Sequence, residues 1–145
     1  MTAGRETPAG QGLLDEALEI AEENFRAGEA AGLLYSRFEG HRCLALVHFR
    51  RGELEEAERI CSSASDIVSN TESRVSQLWL GPLYIDVLIA AAKHLKNEDK
   101  ADEAATKLKS ARELLETYRR LAAECQSRRF KREAARLEQE LKVAD

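Results

Sequence analysis

The stretch that decides the fold is Gly52-Glu-Leu-Glu-Glu-Ala57, which is followed by Cys61 and Ala64. A glycine succeeded by small and apolar residues at intervals of three and four is the pattern of a helix that begins after a turn and buries one face. Alanine on that face lets two helix backbones approach to the low end of the usual range, about 8 Å. The stretch therefore predicts a helix packed tightly against its predecessor.

The same spacing recurs on either side. It appears after Asp99 at Ala104, Leu108 and Ala111, and a partial copy lies at Leu14, Ala17 and Ala21. Repetition of one helical unit along a chain is typical of stacked helical hairpins. The sequence therefore predicts an all-α fold of antiparallel hairpins, with about six helices joined by short turns.

This frame resembles the second half of a tetratricopeptide (TPR) repeat, although the copies here are further apart than the ~34 residues typical of that family. It is most similar to the long-helix TPR solenoids of bacterial signalling ATPases and transcription activators. The resemblance implies a right-handed α-solenoid that acts as a non-catalytic adaptor or scaffold. It also implies a concave groove that binds a peptide or helix of a partner protein. That peptide or helix is expected to carry some acidic residues. The groove positions carried over from the family are Arg42, Leu46, Phe49 and Arg50 on one helix, and Asp86, Lys93 and Lys96 on another.

Helix-forming periods and breakers place the elements along the chain. Residues 1–11 are expected to form a flexible tail, and residues 12–145 a single TPR-like domain. Gly28, Gly52 and the turns after Ser69 and Lys96 are expected to separate helices, and residues 126–129 to join the last two. Gly81-Pro82 is expected to kink or break the fourth helix. The predicted helices cover about 12–28, 29–51, 53–69, 72–95, 99–121 and 130–143.

Composition narrows the functional class. The chain has 145 residues and a formal net charge of −4, so it is not expected to bind nucleic acid as a whole. Nucleotide, hydrolase and metalloprotease motifs are missing from the sequence, so we expect no enzyme activity, no cofactor and no metal. His41 and His48 are expected to serve packing, since two histidines make a poor zinc site. Three widely spaced cysteines favour a reducing cytoplasm, and we expect no membrane span.

Two alternatives to the groove remain open. One is self-association, with a second copy of the chain as the partner. The other is phosphate or nucleic-acid binding through the basic segment 119–136, which contains Arg119, Arg120, Arg128, Arg129, Lys131, Arg132 and Arg136. Acidic residues concentrate in the N-terminal half, so the basic segment is instead expected to pair with them, within one chain or between two.

Overall fold

The computed structural model describes residues 8–69 and 74–145, and every regular element in these residues is an α-helix. The helices fall into two compact units, the first holding α1 to α3 and the second holding α4 to α6. The sequence predicted a single domain over residues 12–145. The helices are α1 (Pro8–Ala31), α2 (Leu34–Arg50), α3 (Leu54–Ser69), α4 (Arg74–Asn97), α5 (Ala101–Cys125) and α6 (Arg128–Ala144).

The all-α prediction is confirmed, but the first helix has different ends from those expected. It begins at Pro8, so residues 8–11 are helical where a flexible tail was predicted; residues 1–7 lie outside the described part of the chain. Proline suits the first turn of a helix because its missing N–H would have no partner there. At the other end, Gly28 lies inside the helix, and Gly32 with φ of +67° follows its last residue. The predicted stop at Gly28 is therefore wrong by four residues.

Gly28 has a packing role instead of a turn role. A Cβ on Gly28 would lie 2.5 Å from the carbonyl oxygen of Ser36, and a Cβ on Gly40 would lie 3.0 Å from Cα of Phe25. Both values are shorter than a normal contact, so only glycine lets the two backbones come this close. The two contacts also show that α1 and α2 run antiparallel, because residue numbers rise on one helix as they fall on the other.

The described turns after α2, α4 and α5 are close to their predicted places, whereas the turn predicted after Ser69 lies outside the described residues. Gly52, with φ of +81°, follows α2 as expected. Asp99, between α4 and α5, and Gln126, between α5 and α6, adopt left-handed backbone conformations with φ of 59° and 53°. Ser127 then caps α6, since its hydroxyl accepts a hydrogen bond from the backbone N–H of Phe130 at 3.3 Å. At these two joints a non-glycine residue therefore adopts the left-handed conformation, and at the second a serine caps the helix that follows.

Of the two outcomes expected at Gly81-Pro82, a kink or a break, the break does not occur: α4 continues through Pro82 as one helix. The glycine before it is needed for another reason. A Cβ on Gly81 would lie 2.8 Å from Cδ2 of Tyr118 on α5, so this side chain occupies the space that any larger residue would need. The pair Gly81-Pro82 therefore marks a close contact between α4 and α5 within one helix, not a joint between two.

In the first unit, α2 packs against both α1 and α3. The alanines that carried the repeat pattern, Ala57 and Ala64, are fully buried on α3 together with Cys61. Phe38 and Ala45 are buried on α2. The small residues therefore stand where helices press together, as the sequence predicted.

In the second unit, all three helices pack on one another around a shared core. Ala104 and Ala111 of α5 are fully buried in this core, as are Ile85 of α4 and Leu137 of α6. Ion pairs show the directions of the helices. Arg74 with Glu124 and Arg119 with Glu138 join antiparallel neighbours at 3.1 Å each.

One described helix, α4, has the length and apolar composition of a membrane span. The sequence prediction was that the chain has no such segment. A core helix of a globular unit passes the same test, and one such helix is weak evidence for a membrane span. Ile85, Leu88 and Ile89 of this helix are buried against α5 and α6. Packing inside the unit therefore accounts for its apolar character.

Candidate protein-interaction surface

One face of α2 remains at the surface although α1 and α3 flank the helix. We define the α2 face as Tyr35, Glu39, Arg42, Leu46 and Phe49, which recur at intervals of three and four residues. Tyr35 is 71% exposed, and the other four side chains are half-buried. The face therefore combines aromatic and aliphatic groups with one ion pair, a mixture typical of binding surfaces.

The ion pair fixes the centre of the α2 face. Nε and Nη2 of Arg42 donate to the two carboxylate oxygens of Glu39 at 2.9 and 3.2 Å. This hydrogen-bonded pair raises the pKa of Arg42. A two-point contact of this kind holds a planar guanidinium in one orientation. Arg42 is therefore partly neutralised within the chain, which the sequence analysis did not anticipate.

The other two predicted residues of α2 differ in exposure. Leu46 and Phe49 are half-buried, so each presents an apolar edge to solvent while it supports the helix. Arg50 is exposed at the end of α2 and is not part of the Glu39 pair. Tyr35 was missed, although its spacing of four from Glu39 placed it on the same face. The chain thus offers an apolar row with a cation at one end.

The predicted groove residues of α4 lie in the second unit, and two of them contact α6. Asp86 binds Arg136 with two oxygens at 3.2 and 3.0 Å, and Nζ of Lys96 donates to the carbonyl oxygen of Ala144. Lys93 is exposed. Asp86 and Lys96 therefore fasten α4 to α6 in parallel alignment, and Lys93 is exposed without a contact to α6 among the described side-chain hydrogen bonds.

Arg136 is the centre of a charged cluster. Besides Asp86 it donates to Glu133 and Glu140, at 2.9 and 2.8 Å. Burial raises the pKa of Asp86, and the hydrogen bonds from Arg136 oppose that rise without cancelling it. Hydrogen bonding to Asp86 in turn raises the pKa of Arg136. One guanidinium thus satisfies three carboxylates, an arrangement that joins two helices.

The histidines have structural partners. His41 is buried, its Nδ1 lies 2.8 Å from the carbonyl oxygen of Arg37, and its ring lies 4.7 Å from that of Phe25. Nδ1 of His48 lies 3.1 Å from Glu53. Within residues 8–69 and 74–145, no group of three or more His, Cys, Asp or Glu side chains is placed to hold a metal ion.

Several bases of the segment 119–136 are already engaged. Arg119 pairs with Glu138, Arg136 with three carboxylates, and the guanidinium of Arg129 lies 4.5 Å from the centre of the Trp79 ring. Trp79 also meets Phe130 edge to face at 5.8 Å. A cation stacked on an indole is stabilised by the ring's negative face. Part of the positive charge of this segment is therefore engaged in contacts within its own unit.

No family model, curated protein or solved structure matches this chain. The TPR resemblance therefore depends on the residues quoted above, and a function can be inferred only from the surfaces of the two units.

Proposed function

We propose that this chain is a non-catalytic interaction module that binds a peptide or helix of a partner protein along the α2 face. The observation that carries the proposal is the exposed row itself. Tyr35 is 71% exposed and stands in line with the half-buried Leu46 and Phe49, on a helix that already has a neighbour on either side. Aromatic residues next to an arginine are the groups that dominate binding energy at protein interfaces.

The chemistry of the face suggests what it would bind. An amphipathic helix carries apolar side chains at intervals of three, four and seven residues, and it would pack them against Tyr35, Leu46 and Phe49. An acidic residue of the same partner would pair with Arg50, which is exposed. Arg42 would orient the partner more than it would attract it by charge, because Glu39 already pairs with this guanidinium.

The proposal includes TPR-like stacking of the hairpins in a right-handed solenoid and a cytoplasmic location. The support for the stacking is that Ala57, Ala64, Ala104 and Ala111 are all fully buried. In the second unit, Lys93 is proposed as a basic contact point on α4, and Asp86 and Lys96 would support that helix. Phosphate binding through the segment 119–136 is less favoured, because Arg119, Arg129 and Arg136 have partners within their own unit.

The test is capture of the partner by the full chain, followed by a binding titration with the purified partner. The double variant Arg42→Glu/Arg50→Glu should lose at least tenfold in affinity, since the face then repels an acidic partner. Tyr35→Ala should weaken binding on its own, because an exposed aromatic contact disappears. The matched control is Lys109→Glu/Arg120→Glu, which reverses two exposed cations on α5. Unchanged binding in the α2 variants, with helicity intact, would reject the proposed face.

A further inference from the structure

The outer face of α1 is exposed, apolar and acidic. We define the α1 outer face as Leu13, Glu16, Ile20, Glu23 and Ala27, which recur at i, i+3, i+7, i+10 and i+14 and therefore share one side of the helix. Leu13 is 67% exposed and Ile20 is 59% exposed. Ala21 and Gly28 are buried and lie about a quarter of a turn away round the helix, and Gly28 lies against the backbone of α2.

The carboxylates of this face form no ion pair with any side chain in the described part of the chain. Glu16 and Glu23 are exposed, as is Glu19 at the edge of the face, and none of the three forms an ion pair with another described side chain. Asp15 lies elsewhere on the helix and is bound by Arg51. The α1 outer face therefore presents two large apolar side chains within a field of free negative charge.

The outer face of α6 has the reverse charge. We define the α6 outer face as Arg128, Arg132, Ala135, Gln139 and Lys142, all exposed and spaced at i, i+4, i+7, i+11 and i+14. Lys131 and Val143 lie beside it, and Val143 is 72% exposed. The glutamates of α6 point away from the centre of this face: Glu133 and Glu140 bind Arg136, and Glu138 binds Arg119.

The two outer faces match in length and differ in sign. Each extends over the same number of helical steps, about 21 Å at 1.5 Å per residue. We propose that the α1 outer face of one copy of this chain binds the α6 outer face of a second copy. The small side chain of Ala135, at the centre of the α6 outer face, leaves room for Ile20, at the centre of the α1 outer face, while Glu16 and Glu23 reach the cations of the α6 outer face.

Pairing of like faces is excluded by charge. Two α1 outer faces would bring Glu16, Glu19 and Glu23 against the same carboxylates, and two α6 outer faces would oppose Arg128 and Arg132 to their own copies. Like charges placed together at an interface cost several kcal/mol. A single contact of this kind is heterologous, because it uses the α1 outer face of one copy and the α6 outer face of the other. Each copy in a pair then keeps one unused face, to which further copies can add.

The self-association is expected to be reversible and to depend on protein concentration. A single pair of helices buries less than the ~1,200 Å² of a standard stable interface, so the association is weak. It also depends on salt, because free surface charges are screened over about 3 Å at 1 M ionic strength. We expect the weight-average mass of the full chain to rise with concentration at low salt, and the association constant to fall at least tenfold at about 1 M NaCl.

Two charge reversals test the pairing by sedimentation velocity. Glu16→Lys/Glu23→Lys makes both outer faces basic, and Arg128→Glu/Arg132→Glu makes both acidic. Each variant alone should lose association at least tenfold. An equimolar mixture should recover it, since each face then has an opposite on the other variant. Glu103→Lys/Glu113→Lys is the control, because it changes the net charge equally at exposed sites of α5.

Three results would overturn the pairing: a native chain that stays monomeric at about 1 mM in low salt, a control that loses association as much as the α1 variant, or a mixture that does not recover. Circular dichroism of each variant verifies that the helices persist. The α1 and α6 variants leave the α2 face unchanged, so failure here and failure of partner binding are separate outcomes.

Discussion

At the scale of single residues, Tyr118 carries a buried hydroxyl that has no hydrogen-bond partner among the described residues. The side chain is 2% exposed, and burial raises the pKa of the phenol to about 12. A buried donor without an acceptor costs about 1–3 kcal/mol. We therefore expect Tyr118→Phe to raise the free energy of unfolding by about 1 kcal/mol, measured by denaturant titration with the fluorescence of Trp79, which lies in the same unit.

Tyr35→Phe is the matched control, because its hydroxyl belongs to a side chain that is 71% exposed. Its effect should stay within about 0.5 kcal/mol. A loss of stability in Tyr118→Phe would contradict the prediction and would show that the hydroxyl has a partner such as an ordered water.

At the scale of elements, the contact between α1 and α2 depends on a glycine. Gly28→Ala would place a Cβ 2.5 Å from the Ser36 carbonyl oxygen, so the helices must separate. We expect a loss of about 1–3 kcal/mol in unfolding free energy, as is usual for overpacking. Gly12→Ala in the same helix meets nothing within 4 Å and should gain about 0.5–1 kcal/mol from helix propensity. Thermal unfolding of the two variants gives opposite signs if the close approach is real; a gain in both would refute it.

The attachment of α6 to α4 depends on Arg136. Arg136→Leu leaves Asp86, Glu133 and Glu140 without their shared cation, and we expect about 1–2 kcal/mol of lost stability at pH 7 after allowance for a side chain that is 38% exposed. The loss should shrink as the pH falls to about 4, because the unpaired carboxylates then take up protons. Urea titrations at both pH values measure this change.

The double variant Asp86→Asn/Arg136→Leu is the companion experiment. It removes the most buried of the three carboxylates along with the cation, so it should recover part of the stability at pH 7. A double variant that is less stable than Arg136→Leu would show that Asp86 has a role independent of this pair.

The helices were predictable because their signals are local. Alanine spacing located Ala57 and Ala104 in the cores, and Gly52 ended α2 as expected. The signals that failed concern glycine and proline, since Gly28 and Gly81 serve packing against residues distant in sequence. Sequence shows that a position lacks a Cβ but not whether a turn or a neighbouring helix requires its absence.

At the scale of the whole molecule, the candidate surfaces were only partly predictable. Arg42, Leu46 and Phe49 do share one face of α2, because helical period places them there. The pairing of Asp86 with Arg136 joins positions far apart in the chain, and no local pattern reveals it. The sequence also could not divide the helices into two units, since its repeat pattern extends through both.

The two units should respond to acid in opposite ways. In the first, a hydrogen bond from Arg51 lowers the pKa of Asp15, and bonds from Arg51 and His48 lower that of Glu53 against the opposing effect of burial. A lowered pKa contributes stability above the unfolded value of about 4, which is lost as the pH falls through the folded value. In the second unit burial raises the pKa of Asp86, so its contribution is present below about pH 4 and is lost as the pH rises through the folded value.

Hydrogen exchange followed by mass spectrometry separates these responses, after correction for the pH dependence of chemical exchange. Between pH 6 and pH 3 we expect α1 to α3 to lose protection earlier than α4 to α6. Asp15→Asn/Glu53→Gln should weaken the acid response of the first unit, because two of its three carboxylates with lowered pKa values are gone; Glu56, whose pKa is lowered by a hydrogen bond from Arg59, remains. Equal loss of protection in both units, or a first unit whose response is unchanged by the double substitution, would show that acid acts through other groups than the carboxylates held by Arg51.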